Sequence, residues 1–71
     1  MIESLLKRNK KGVGCVSRAH DGNALSVVMY TCGRLKVAKW DRGDINAFRK
    51  VALSGDYDHV LSTCAEVLTD D

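Results

Sequence analysis

The groups in this sequence that could do chemistry are three thiols, two imidazoles, and a set of cations interleaved with aromatic residues. The cysteines, Cys15, Cys32 and Cys64, are odd in number and include no C-x-x-C pair. Neither a disulfide framework nor a zinc knuckle is indicated, and reduced thiols are the default. Cys15 and Cys64 fall on apolar stripes and read as small core residues. Cys32 falls in an expected turn, where it would be exposed and open to oxidation. A nucleophile there would need an adjacent base, and neither His20 nor His59 is placed to serve it. With no nucleophile, base and orienting group at a recognisable spacing, the chain is expected to be no enzyme and no catalytic residue is assigned.

The cations suggest binding instead. Arg18, Arg34 and Lys36 alternate with Tyr30 and Trp40, the combination that neutralises phosphates while bases stack on rings. A large aromatic beside cations is equally a protein-interface anchor, a role that requires Trp40 to be exposed. Lys7, Arg8, Lys10 and Lys11 form a second basic cluster. Asp44, Asp56, Asp58, Glu66, Asp70 and Asp71 could mimic phosphates or hold a hard cation. Their spacing is not that of a calcium loop, so no metal or cofactor is expected.

The elements that must position these groups follow from periodicity. Residues 24–40 alternate in period two about Thr31-Cys32-Gly33, which predicts a β-hairpin with Gly33 supplying a positive φ. In that register Met29 faces Leu35, Val27 faces Val37 and Leu25 faces Lys39, giving an apolar face. Tyr30, Arg34, Lys36 and Trp40 lie on the opposite, polar face. Asp21-Gly22-Asn23 predicts a further turn, preceded by a strand from Val13 to His20 that adds Arg18 to the polar face. After Trp40 the period changes. Asp41 or Asp44 can cap a helix with Ile45, Phe48 and Ala52 on one stripe. Gly55 then ends it, and Asp56 caps a last helix carrying Tyr57, Val60, Leu61, Cys64 and Leu68. Ile2, Leu5 and Leu6 allow a short basic helix, or else an arm, over residues 1–11. The expected fold is α+β: a three-stranded antiparallel meander with two C-terminal helices packed on one face and a short N-terminal helix as an option. Residues 1–71 form one domain, with no Pro and no low-complexity linker.

That layout is shared, at the level of element order, with double-stranded RNA-binding domains and with the DNA-binding domains of plant ethylene-response factors. The residues match neither. Asp41-Arg42-Gly43-Asp44 stands where the first family carries a Gly-Lys-Lys-type cluster, and the second lacks a final helix such as residues 57–68.

Composition sets the remaining bounds. A hydrophobic share of 45% and a charged share of 28% are those of a folded domain rather than a disordered tail. At 71 residues the core is small, so a partner subunit, a homodimer for instance, is one route to extra stability. No signal peptide and no run of membrane-spanning length is present, which implies a cytoplasmic protein without a membrane partner. The net charge of +2 is unevenly spread: residues 1–42 hold nine basic residues against three acids, a net +6, and residues 43–71 hold two against six, a net −4. Such a field steers association with a charged surface. The expected function is therefore a small non-enzymatic binding protein. It would act as a regulator or inhibitor docked on a larger protein or nucleoprotein complex, and it could be encoded by a phage or mobile element. The alternative is direct DNA or RNA binding through the basic-aromatic sheet face. The residues assigned to either role are Arg18, Tyr30, Arg34, Lys36, Trp40, Lys7, Arg8, Lys10 and Lys11.

Overall fold

The segment expected as a hairpin is one continuous helix. In the computed structural model, which describes residues 2–16 and 23–69, the order is α1 (Ile2–Arg8), β1 (Gly12–Val13), α2 (Ala24–Val37), α3 (Arg42–Ala52), α4 (Tyr57–Val67) and β2 (Leu68–Thr69). The three-stranded antiparallel meander is absent among these residues. Their sheet is a two-residue parallel pair, Gly12 opposite Leu68 and Val13 opposite Thr69. The architecture is a helical assembly in which α2, α3 and α4 pack on one another and α1 lies against α3 and α4. The turn expected at Asp21-Gly22 and the second half of the strand expected before it, residues 17–20 including Arg18 and His20, fall outside the described residues, and of the first half only Val13 is in a strand.

Burial explains why α2 is a helix. Its buried residues are Val27, Val28, Thr31 and Leu35, a spacing of i, i+1, i+4 and i+8 that lines one helical face. The period-two reading counted Leu25, Met29 and Val37 as core, and these are 49%, 66% and 68% exposed. Val27, Val28, Thr31 and Gly33 are all weak helix formers. The packed face against α3 and α4, with the Asn23 side chain capping the Leu25 N–H at 2.9 Å, outweighs that local preference. The buried Thr31 hydroxyl donates to the Val27 carbonyl at 2.9 Å, so its burial leaves no donor unmet.

The left-handed residue sits at the end of this helix rather than at Gly33. Lys39 has φ 68°. The Lys39 N–H donates to the Lys36 carbonyl at 3.0 Å and the Trp40 N–H to the Leu35 carbonyl at 3.1 Å, the paired bonds of a Schellman cap. Glycine is favoured at that cap position and disfavoured mid-helix, so two substitutions should each stabilise. Lys39→Gly relieves a left-handed non-glycine conformation, about 1 kcal/mol. Gly33→Ala adds a Cβ that meets nothing within 4 Å and removes a helix-interior glycine, about 0.5–1 kcal/mol. Thermal unfolding should show each midpoint raised by roughly 4–8 °C per kcal/mol. A lowered midpoint for Gly33→Ala would instead support the hairpin.

The two C-terminal helices follow their expected N-caps and stripes, but α3 ends at Ala52 with Leu53 as its C-cap, so Gly55 is not the residue that closes it. Asp41 accepts from the Gly43 N–H to start α3, which buries Phe48 and Ala52. Asp56 accepts from the His59 N–H to start α4, which buries Val60, Thr63, Cys64 and Val67. The chain leaves α4 at Leu68 in an extended conformation and pairs with β1. Gly14 lies beside this junction, where a Cβ would stand 2.7 Å from the Tyr30 hydroxyl, so a larger residue would have to displace the Tyr30 side chain.

Candidate functional site

The residues expected on one sheet face are divided among different tasks. Trp40 is only 5% exposed, and its indole N–H donates to the Lys10 carbonyl at 2.6 Å. It is a core residue that holds the segment after α1 in place, so the interface role that needed an exposed ring has no ring to use. Tyr30 is half-buried, and its hydroxyl accepts from the Cys15 N–H at 3.1 Å. Arg34 donates through Nε to the Val13 carbonyl. Tyr30 and Arg34 therefore fasten residues 13–15 to α2. Arg34 nevertheless shares a shallow groove with Lys10, Lys11, Val13, Val37 and Ala38, so three of the expected cations do converge. Arg18 is outside the described residues, and Lys7 is exposed on α1.

Arg8 has a structural partner. Its Nη2 lies 2.8 Å from Asp44 Oδ1, and Asn9 Nδ2 bridges the Leu5 carbonyl at 3.0 Å and Asp44 Oδ2 at 2.8 Å. Asp44 was open to a capping role, but Asp41 takes that and Asp44 ties α1 to α3 instead. Hydrogen bonds from Arg8, then Asn9, hold the Asp44 carboxyl below its ordinary value. A carboxyl lowered on folding stabilises the fold above its unfolded pKa, and the contribution is lost as pH falls through the lower folded value. The difference in melting midpoint between wild type and Asp44→Asn should thus be present at about pH 6 and shrink progressively below about pH 4. A difference that does not change with pH would mean that the carboxylate charge contributes nothing.

The groups considered for catalysis are held in other ways. Cys32 is half-buried in α2 rather than exposed at a hairpin tip. Burial pushes its thiol up against the opposing pull of the Arg49 guanidinium, which favours the unreactive protonated form. Burial likewise raises Cys64. His59 Nε2 lies 2.8 Å from the Val51 carbonyl, which can only accept, so that nitrogen carries the proton. Ser54 donates to the same carbonyl at 2.7 Å. Ser54 Oγ also lies 3.4 Å from His59 Nε2, but with both groups donating to the Val51 carbonyl that nitrogen is not free to accept the hydroxyl proton, and the pair closes the α3–α4 turn. Among the described residues no three His, Cys, Asp or Glu side chains converge as metal ligands.

The surface that sequence reasoning missed is the outer seam of α2 and α3. The two helices are joined by the turn at residues 38–41, and Lys36 near the end of α2 and Arg42 at the start of α3 line the same hollow. Two hollows between the helices share Cys32 and form a trough, and a third hollow on the surface of α3, lined by Asn46, Arg49, Lys50 and Leu53, adjoins it. Leu25 and Met29 line one end with Arg49, Lys36 and Arg42 flank the other, and Lys50 and Leu53 extend it over α3. The hollow at the Lys36 end has a volume of about 310 Å³. Every charged side chain lining the trough is a cation. Arg49 and Lys50 belong to the half of the sequence that is acidic overall, yet in space they join Lys36 and Arg42. The signal was present in the α3 pattern: Arg42, Arg49, Leu53 and Asn46 all fall along one flank of the Ile45, Phe48 and Ala52 stripe, with Lys50 further round the helix.

No helix among the described residues is long and apolar enough to cross a membrane. No family model, curated protein or solved structure matches the chain.

Proposed function

We propose that this protein is a small non-enzymatic binding protein that acts as a regulator or inhibitor by docking the α2–α3 trough onto a larger protein or nucleoprotein complex in the cytoplasm. The observation that carries the reading is the pairing of exposed apolar side chains, Leu25, Met29 and Leu53 at 49%, 66% and 44%, with a lining whose charges are all positive. Apolar anchors within a charged rim are the composition of a docking surface. The cations would steer the encounter and the anchors would supply the burial.

Co-purification from the native host tests this. Wild type should retain a stoichiometric partner that is lost on Met29→Glu or Arg49→Glu and kept on Lys11→Glu, which lies on the other groove. Recovery of no such partner, or a partner retained by all variants, overturns the proposal.

A further inference from the structure

Resting on the docking reading above, we propose that the occupant of the trough is an acidic amphipathic helix of about three turns, presented by the partner. The length follows from the seam. Leu25 and Lys36 are eleven positions apart on α2, as are Arg42 and Leu53 on α3, and at 1.5 Å per residue each spans roughly 16 Å, the length of an eleven-residue helix. The chemistry follows from the lining. Helix-in-groove recognition uses apolar anchors at i, i+3 or i+4, and i+7, and Leu25 and Met29, one turn apart, offer matching contacts. Met29 is unbranched and adapts to whichever side chain it meets. Arg49 and Lys50 at one end and Lys36 and Arg42 at the other, with no carboxylate between them, complement Asp or Glu flanking the partner's apolar stripe.

Nucleic acid fits this surface less well. Phosphates provide no counterpart for the exposed Leu25, Met29 and Leu53. Stacking of bases would need an exposed ring, and the ring beside the trough, Trp40, is 5% exposed.

The test is selection of a displayed library of random peptides, about 16 residues long, against the immobilised full chain, with an Arg49→Glu, Lys50→Glu double variant selected in parallel. Both substituted residues are exposed, and circular dichroism checks that the variant is folded. Enriched peptides should be net acidic with apolar residues at helical spacing. A synthetic representative should bind with an affinity that falls about tenfold or more on Arg49→Glu and is partly restored when one of its acids is changed to Lys. No enrichment, neutral or basic peptides, or affinity indifferent to Arg49→Glu overturns the inference. So does an Arg49-dependent shift of duplex DNA at physiological salt without peptide binding, or a self-associated dimer that Arg49→Glu dissolves. A host partner that is lost on Arg49→Glu although no acidic helix is selected leaves the docking reading standing and removes only the helical occupant. A partner indifferent to Arg49→Glu fails the docking reading itself.

Discussion

Val28→Asp is expected to unfold the chain, while Met29→Asp leaves it folded with stability changed by about 0.5 kcal/mol or less. The two residues are adjacent, but α2 turns Val28 fully into the core, at 0% exposure, and Met29 outward, at 66%. Val28 shares that core with Leu35, Phe48, Val60 and Cys64, none of which can pair with a carboxylate. An unpartnered acid there must either remain charged in an apolar setting or be protonated at neutral pH. Either route costs several kcal/mol, against a total of about 3–5 kcal/mol for a core of this size. The period-two register assigns Val28 to the solvent face and Met29 to the core, so it predicts the reverse outcome. Far-UV circular dichroism and urea unfolding of the two variants decide between helix and strand. A folded Val28→Asp with an unfolded Met29→Asp would restore the hairpin.

The same pair of residues shows why part of the fold was legible and part was not. In α3 and α4 the polar and apolar faces are cleanly separated and each helix starts on an aspartate, Asp41 and Asp56, so period and cap agree. In α2 they do not. The buried set Val27, Val28, Thr31 and Leu35 is helical in spacing, but Leu25, Met29 and Val37 place further apolar groups on the outside. Apolar residues on both sides blur the period, and the alternation from Leu25 to Met29 then imitates a strand. Gly33 and the β-branched residues reinforced that reading. Two of the residues that concealed the helix, Leu25 and Met29, are also the anchors on which the proposed docking depends. An outward apolar residue on a helix weakens the periodic signal for the same reason that it can bind a partner. The cations were only half legible: Lys36 stood out beside aromatics, whereas Arg49 and Lys50 gained significance once α3 lay beside α2. The long-range ties were illegible in principle. Arg8 and Asp44 are 36 positions apart, Trp40 and Lys10 are 30 apart, and no local pattern joins either pair.

Trp40→Ala should cost about 3–5 kcal/mol, enough to abolish most of the stability expected for this chain, whereas Trp40→Phe should keep the fold and cost roughly 1–2 kcal/mol. The larger loss comes from the ring, which packs in the core beside the end of α2. The smaller one comes from the indole N–H, which Phe lacks, leaving the Lys10 carbonyl without the donor that Trp40 supplies at 2.6 Å. Because that bond reaches across to the segment joining α1 and β1, Trp40→Phe should raise amide exchange in residues 9–13 more than in α4. The residue is the only tryptophan in the chain, so its fluorescence reports directly on its setting: emission should be shifted to the blue in the native protein and move to the red on unfolding. A native emission typical of a water-exposed indole, with an unchanged unfolding midpoint for Trp40→Ala, would place the ring on the surface. It would then return Trp40 to the role of interface anchor and remove the contact that now fixes the basic segment Lys10–Lys11 against the end of α2.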